Sequence, residues 1–195
     1  MKKLIVLCMI LSVSFFFFSG CASTGKRLDA NKDIVADSGE LTRIELERSA
    51  ERLAKDIGAH FKKNPNKNGV FVALLPTKNN TSEQLSTDVF DNNLVGALRK
   101  NGVYTIRTET RDQALSEIQF SMTGLTEKPL SLGTMKSPNY FIKTDILENM
   151  FKHGGDKIVE QVINTELIEL ATQIVIWSDK SVYRKQAVSG GGVGW

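Results

Sequence analysis

Apolar residues recur at helical spacing across residues 41–63, and charged residues occupy many of the positions between them. The apolar positions of this stretch are Leu46, Ala50, Leu53, Ala54, Ile57 and Phe61. Thr42, followed three residues later by Glu45, fits a capping box and predicts that a helix begins here. The stripe indicates an amphipathic helix packed on a core, although a partner-binding surface has the same pattern.

Residues 70–75 (VFVALL) are apolar without alternation, as expected of a central strand covered on both faces. Pro76 ends this strand, and the polar loop 77–84 leads into a second predicted helix near residues 87–101. The inward positions of that helix are Phe90, Leu94, Ala97 and Leu98. A strand over residues 103–108 follows, so the stretch forms a βαβ unit with parallel strands and a right-handed crossover.

A third, shorter helix is predicted over residues 111–120, with Ala114, Leu115 and Ile118 pointing inward. Residues 121–137 contain glycine and proline at several positions and predict a loop. The helical period ends with this helix.

From Tyr140 the pattern changes to a period of two, with residues 140, 142, 144 and 146 alternating with 141, 143, 145 and 147, and it predicts a strand. His153-Gly-Gly-Asp156 is a hairpin turn signal, and residues 157–169 and 173–184 follow as two more strands of an antiparallel meander. The predicted fold is therefore α+β: a single mixed sheet of about five strands, a βαβ unit and then the meander, flanked by about three helices. This arrangement would bury the VFVALL segment together with the IVIW segment of the last strand.

The N-terminus combines Lys2 and Lys3 with an uncharged apolar run over residues 4–18, the pattern of a secretory signal. The sequence F-S-G-C that ends at Cys21 resembles a bacterial lipobox, although Phe18 stands where leucine is usual. This resemblance implies that residues 1–20 are removed and that Cys21 carries acyl chains that anchor the protein to a membrane. The alternative is an uncleaved membrane anchor, because the run is nearly long enough to span a bilayer.

Four segments are expected: a signal peptide (1–20), the lipidated cysteine with a flexible polar tether (21–40), a globular domain (41–188) and a flexible glycine-rich tail (189–195). Ala22 follows the cysteine, where an aspartate would favour inner-membrane retention in enterobacterial lipoproteins. We therefore expect a lipid-anchored protein on the periplasmic face of the outer membrane.

Cysteine and charge counts exclude several classes of function. Cys8 leaves with the signal and Cys21 takes the lipid, so the domain keeps no thiol for a disulfide, a thiolate zinc site or a nucleophile. The signal also carries two of the 25 basic residues and none of the 22 acidic ones, which leaves a net charge of +1 on the mature chain. This balance argues against nucleic acid as a partner.

Candidate catalytic and ligand-binding groups are few. His60 and His153 each lack a second histidine at metal-ligand spacing, and the glycine run 190–194 precedes no helix that could bind phosphate. Carboxylate pairs such as Asp145 with Glu148 have odd spacing on a strand, which directs the two side chains to opposite faces. We expect no enzyme activity, no metal, no cofactor and no small-molecule substrate.

The polar loop after the first strand is the candidate partner-binding site, through Lys78, Asn79 and Asn80. It leaves the C-terminal end of a central strand, where loops often carry function, although an ordinary connecting loop has the same composition.

Three stretches, in order, resemble the globular domain of the LpoB family, outer-membrane lipoprotein activators of a bifunctional penicillin-binding protein. They are a strand leading into an Asn-Asn-x-Thr-like loop (72–82), a helix-to-strand exit (94–105) and the final strand (173–180). Such domains look like the N-terminal domain of TolB and the periplasmic part of CsgG-type proteins. The resemblance implies a tethered adaptor that contacts a bifunctional penicillin-binding protein and stimulates cell-wall synthesis.

The chain departs from this family pattern in two places. The family's enterobacterial tether is long and rich in proline, whereas residues 22–40 are short and ordinary. The family usually has another helix before the meander, but here residues 133–139 run almost directly into Tyr140. That flank of the sheet is therefore expected to be bare or covered by a partner.

Two alternatives to the adaptor remain. A CsgG-like assembly or secretion-linked lipoprotein would need long membrane-inserting hairpins, and Lys143, Asp145, Asn149 and Lys152 make insertion of the meander unfavourable. A wall hydrolase has only the compartment in its favour.

Overall fold

The computed structural model describes residues 40–131, 133–154 and 156–187. The predicted signal peptide, Cys21, the tether as far as residue 39 and the tail 189–195 lie outside the described residues. Within the described ranges, no helix has the length and apolar character needed to cross a bilayer.

The described residues form three α-helices, and a π-helical turn, Ser121–Leu125, follows the third. The helices are α1 (Arg43–Lys63), α2 (Thr87–Lys100) and α3 (Arg111–Phe120). The predicted capping box is confirmed at the start of α1: the Glu45 N–H donates to Thr42 Oγ1 at 3.2 Å, and the Thr42 N–H donates to Glu45 Oε2 at 2.9 Å. Gly102 follows α2 with a φ of 81°, a left-handed conformation that favours glycine at a helix end.

Within the described ranges, six strands form one mixed sheet. They are β1 (Phe71–Leu74), β2 (Lys78–Asn80), β3 (Tyr104–Thr105), β4 (Tyr140–His153), β5 (Asp156–Glu169) and β6 (Val175–Ala187). The order across the sheet is β3-β1-β4-β5-β6, and β2 also pairs with β4. β1 is parallel to β3 and β4, whereas β4, β5 and β6 form an antiparallel meander. The predicted α+β fold with a βαβ unit and a meander is confirmed.

Two details of the first half of the sheet differ from the sequence prediction. Pro76 ends β1 as expected, but the chain then rejoins β4 as the short parallel strand β2 inside the predicted polar loop. The strand predicted over residues 103–108 is only two residues long, because β3 lies at the sheet edge and pairs with β1 through Tyr104 and Thr105 alone. One more hydrogen bond, from the Ile106 N–H to the Val72 carbonyl at 2.7 Å, extends its contact with β1.

The hydrophobic core lies between one face of the sheet and the pair of helices α1 and α2. Its fully buried side chains from helices and strands include Leu53, Ile57, Phe90, Leu94, Leu98, Ile142, Ile146, Ile163 and Leu167. Truncating a buried leucine or isoleucine of this kind to alanine typically costs about 2–5 kcal/mol of unfolding free energy. This face of the sheet therefore supplies most of the stability of the domain.

Polar contacts fix α1 across the edge strand β6. The Tyr183 hydroxyl lies 2.7 Å from Ser49 Oγ and donates to the Glu45 carbonyl at 2.9 Å, and Arg52 Nη1 donates to Asp179 Oδ2 at 2.6 Å. Partial burial raises the pKa of Asp179, but the hydrogen bonds from the Arg52 side chain and the Lys180 N–H, with the charges of both residues, outweigh this and hold the pKa below its usual range. Because the earlier residue of α1, Glu45, contacts the later residue of β6, Tyr183, and Arg52 contacts Asp179, α1 runs antiparallel to β6.

Two predicted core contributions are wrong in part. In α3 only Ile118 is buried, whereas Ala114 and Leu115 are exposed. At the start of the last strand, Ile174 and Val175 are 57% and 49% exposed, because they lie at the sheet edge beside a register shift between Leu167 and Ile168. Ile176 and Trp177 pack partly against the core.

Candidate partner-binding face of the sheet

The meander and β2 present one face to the helical core and leave the opposite face uncovered over much of its area. We call the opposite face the open face. Alternation along each strand sends every second side chain to it. Ile146 and Ile163 are buried in the core, whereas their neighbours Leu147 and Val162 lie on the open face. The open face is therefore built by the same strands that build the core.

Three aliphatic side chains form a continuous line across the open face. Leu147 on β4 pairs with Val162 on β5, and Val162 pairs with Val182 on β6. Leu147 is 43% exposed and Val182 is 45% exposed, while Val162 between them is half-buried. We call these three residues the apolar row. Asn80 on β2 pairs with Leu147 and extends the row by one polar residue.

The next line of side chains on the open face begins and ends with lysine. Lys78 pairs with Asp145, Asp145 with Asn164, and Asn164 with Lys180. We call these four residues the lysine row. Neither Lys78 nor Lys180 forms an ion pair among the residues that the structure describes.

The carboxylates beside the apolar row have cations next to them. Lys143 Nζ lies 2.9 Å from Asp145 Oδ2 and 3.5 Å from Glu166 Oε2. The hydrogen bond and charge of Asp145, with the charge of Glu166, raise the pKa of Lys143. On the other side of the apolar row, Arg184 Nε donates to Glu160 Oε2 at 2.9 Å. The unpaired charge beside the apolar row is therefore positive.

The structure separates the three candidate residues of the polar loop. Lys78 and Asn80 are exposed on the open face. Asn79 turns the other way: its Nδ2 donates to the Glu83 carbonyl at 2.8 Å, and its Oδ1 accepts from the Thr81 N–H at 3.0 Å. Asn79 thus shapes the loop, and partner binding through Lys78 and Asn80 stays a prediction. Lipidation of Cys21 lies outside the described residues and also stays a prediction.

Sequence reasoning did not single out the apolar row or Lys180. The sequence signal for an exposed apolar patch is the adjacent apolar pairs Ile146-Leu147 and Val162-Ile163. A strand with one solvent-exposed face normally alternates apolar and polar residues, so such pairs place an apolar residue on that face. That signal identifies an exposed apolar residue in each strand separately. The alignment of these residues in one row depends on the pairing register of the sheet.

The start of the globular domain is held by a second polar cluster. Glu83 Oε2 accepts from the Leu41 N–H at 3.2 Å, and Glu83 Oε1 accepts from Gln161 Nε2 at 2.7 Å. Lys185 Nζ lies 2.9 Å from Glu45 Oε2 and also donates to the Glu40 carbonyl. Burial raises the pKa of Glu83, an effect only partly offset by the Leu41 N–H. We call Glu40, Leu41, Glu45, Glu83 and Lys185 the junction.

A cavity of about 380 Å³ lies beyond the ends of β1 and β3, beside α2. Asp91 on its wall is bonded to the Thr77 N–H and hydroxyl at 3.2 and 2.5 Å, and Arg107 pairs with Glu109 at 3.2 Å. The Thr77–Asp91 hydrogen bonds join the loop after β1 to α2, so Asp91 has a structural contact here.

In the described part of the chain, no three His, Cys, Asp or Glu side chains are grouped so as to hold a metal ion. Asp145 and Glu148 point to opposite faces, as predicted, and Glu148 Oε1 accepts from Ser82 Oγ at 2.8 Å. His60 packs edge-on against Phe61, with ring centroids 5.5 Å apart.

Comparison with known proteins gives a family match and several similar structures. The family model described as "Peptidoglycan-synthase activator LpoB" matches residues 45–183. The LpoB C-terminal domain from Salmonella enterica is 18% identical, with 71% of this chain and 98% of that chain covered and a TM-score of 0.46. The NMR structure of Escherichia coli LpoB is 14% identical, with 86% and 78% covered and a TM-score of 0.42. No curated protein sequence matches the chain.

Proposed function

The chain belongs to the LpoB family of peptidoglycan-synthase activators, and from this premise we propose that it is a lipid-anchored adaptor that binds and activates a bifunctional penicillin-binding protein. In this proposal the protein works by contact with the synthase. It needs no cofactor and carries out no chemistry of its own. The lipid on Cys21 holds it at the periplasmic face of the outer membrane.

The family match over residues 45–183 is the observation that carries this proposal. The open face adds support, because an adaptor requires a surface that its own core does not use. An apolar centre with a charged surround is the usual composition of a protein–protein interface. The apolar row and the charged pairs on both sides of it have this arrangement.

The junction bears on how an anchored adaptor would be presented to its partner. The side chains of Glu83 and Lys185 hold the chain at residues 40 and 41, so the domain cannot swivel freely at its first residues. The tether of residues 22–40 would reach about 65 Å when fully extended, and about 25 Å as a flexible coil. Reach toward an inner-membrane synthase is thus set by the tether, while α1 and the junction set the orientation of the domain.

Glycan-strand polymerisation by the bifunctional penicillin-binding proteins of the same organism is the test. Each synthase is assayed in detergent with and without the mature lipidated chain, and an unrelated lipoprotein of similar size serves as the control. A several-fold stimulation of one synthase, accompanied by co-purification, is expected. If no synthase is stimulated and none co-purifies with the chain, the proposal is wrong.

A further inference from the structure

We infer that the open face is the surface that docks on the synthase, and that it receives an apolar patch flanked by two carboxylates that reach Lys78 and Lys180. This inference rests on the proposed function and names the contact chemistry by which that function would be carried out. Four strands contribute to the surface: β2, β4, β5 and β6.

The exposure of the apolar row is the first step. Cross-strand aliphatic pairs stabilise a sheet by about 0.2–1 kcal/mol, and a polar β-former such as threonine would serve nearly as well on a solvated face. Leu147 and Val182 instead leave close to half of their area in water. Covering them on binding would bury apolar area that folding leaves exposed.

Charge complementarity identifies the partner's chemistry. Asp145, Glu166 and Glu160 are neutralised by cations of the same face. Lys78 and Lys180 have no such partner in the described ranges, and they stand at opposite ends of one row. Three strand spacings separate them, about 14 Å between backbones. Carboxylates at a similar separation on the partner would pair with both lysines.

The same charges disfavour a second copy of the chain as the occupant. Two open faces brought together would offer Lys78 and Lys180 no unpaired carboxylate near the apolar row, since Asp145, Glu166 and Glu160 are already paired with cations. Asp156, which has no ion pair in the described residues, lies at the far hairpin end of the face. Like charges opposite each other are destabilising, and burying an unpaired cation carries a desolvation cost. The partner is therefore an acidic surface of a different protein.

The experiment measures binding of the mature lipidated chain to the stimulated synthase in detergent, at low and high salt. The double variant Lys78→Glu/Lys180→Glu is expected to weaken binding at least tenfold at low salt, with a smaller difference at high salt because rim charges are screened. Val182→Asn is expected to weaken binding severalfold at both salt concentrations, because its effect does not depend on screening.

Lys55→Glu is the matched control, since Lys55 is an exposed lysine on α1, on the helical side of the domain. It should bind as the wild type does. Circular dichroism and unfolding curves show whether each variant is folded. If the folded double variant and Val182→Asn both bind with wild-type affinity, the inference is wrong and the adaptor proposal stands. If the wild type binds no synthase, the proposed function itself fails, and the inference with it.

Discussion

The two faces of the meander are made by neighbouring residues of the same strands, yet they have opposite physical roles. Ile163 has no exposed area and lies in the core, whereas Val162 beside it is only half-buried on the open face. Burial of an aliphatic side chain raises the unfolding free energy in proportion to the apolar area removed from water. The helical face therefore holds the domain together, whereas the open face leaves apolar area exposed to water. Two of the four predictions below test this division directly, and the other two test the contacts that fix the start of α1; they run from the largest effect to the smallest.

Truncation in the core should cost the most. Phe90 on α2 is fully buried, so Phe90→Ala is expected to lower the unfolding free energy by about 3–5 kcal/mol through lost burial and a cavity. Val182→Ala on the open face should cost less than about 1 kcal/mol. Urea denaturation of both variants measures the difference. Equal losses would contradict the division between the two faces.

The start of α1 should show a smaller but specific effect. Thr42→Ala removes the capping hydrogen bond to the Glu45 N–H and is expected to lower the unfolding free energy by about 1 kcal/mol. Ser86, the N-cap residue of α2, makes no side-chain capping bond, so Ser86→Ala is the matched control and should change stability little. A loss in the Ser86 variant as large as that in the Thr42 variant would rule out the capping account.

The junction should make stability depend on pH through Glu83. Because burial raises its pKa in the folded protein above the ordinary value of 4.5, the folded state holds this proton more tightly than the unfolded chain. The contribution to stability is fully present below the ordinary pKa and is lost as the pH rises through the raised value. Denaturant unfolding at several pH values across this window should show the decline in wild type and a flatter profile in Glu83→Gln. An unchanged slope in the variant would assign the decline to other groups.

The charges of the open face should matter least for stability. Lys180 is exposed and pairs with no carboxylate of the described residues, so Lys180→Glu is expected to shift the unfolding free energy by no more than about 0.5 kcal/mol. Thermal unfolding measured on the same samples as the binding assay checks this. A loss of unfolding free energy as large as that of a core truncation would mean that the open face also stabilises the fold, and the proposed division between the faces would be wrong.

Prediction from the sequence succeeded where the determining contacts are local. Thr42 and Glu45 are three residues apart, and α1 formed with the predicted capping box. α3 shows the limit of this reasoning: its bounds were predicted correctly, but two of its three inward residues are exposed. A short helix shows its period in its sequence, yet what packs against it depends on distant parts of the chain.

The sequence by itself determined the element types of this protein, the parallel βαβ unit, the meander and the resemblance to the LpoB family. Those features depend on residue spacing and on a general rule of chain handedness. Only the tertiary structure decided that β2 rejoins β4, that Asn79 turns inward, and that Leu147, Val162 and Val182 align in one row beside Lys78 and Lys180. The physical reason is register: side chains alternate with a period of two, so a slip of one residue would exchange the core and the open face. No local pattern encodes which residues of three separate strands stand side by side.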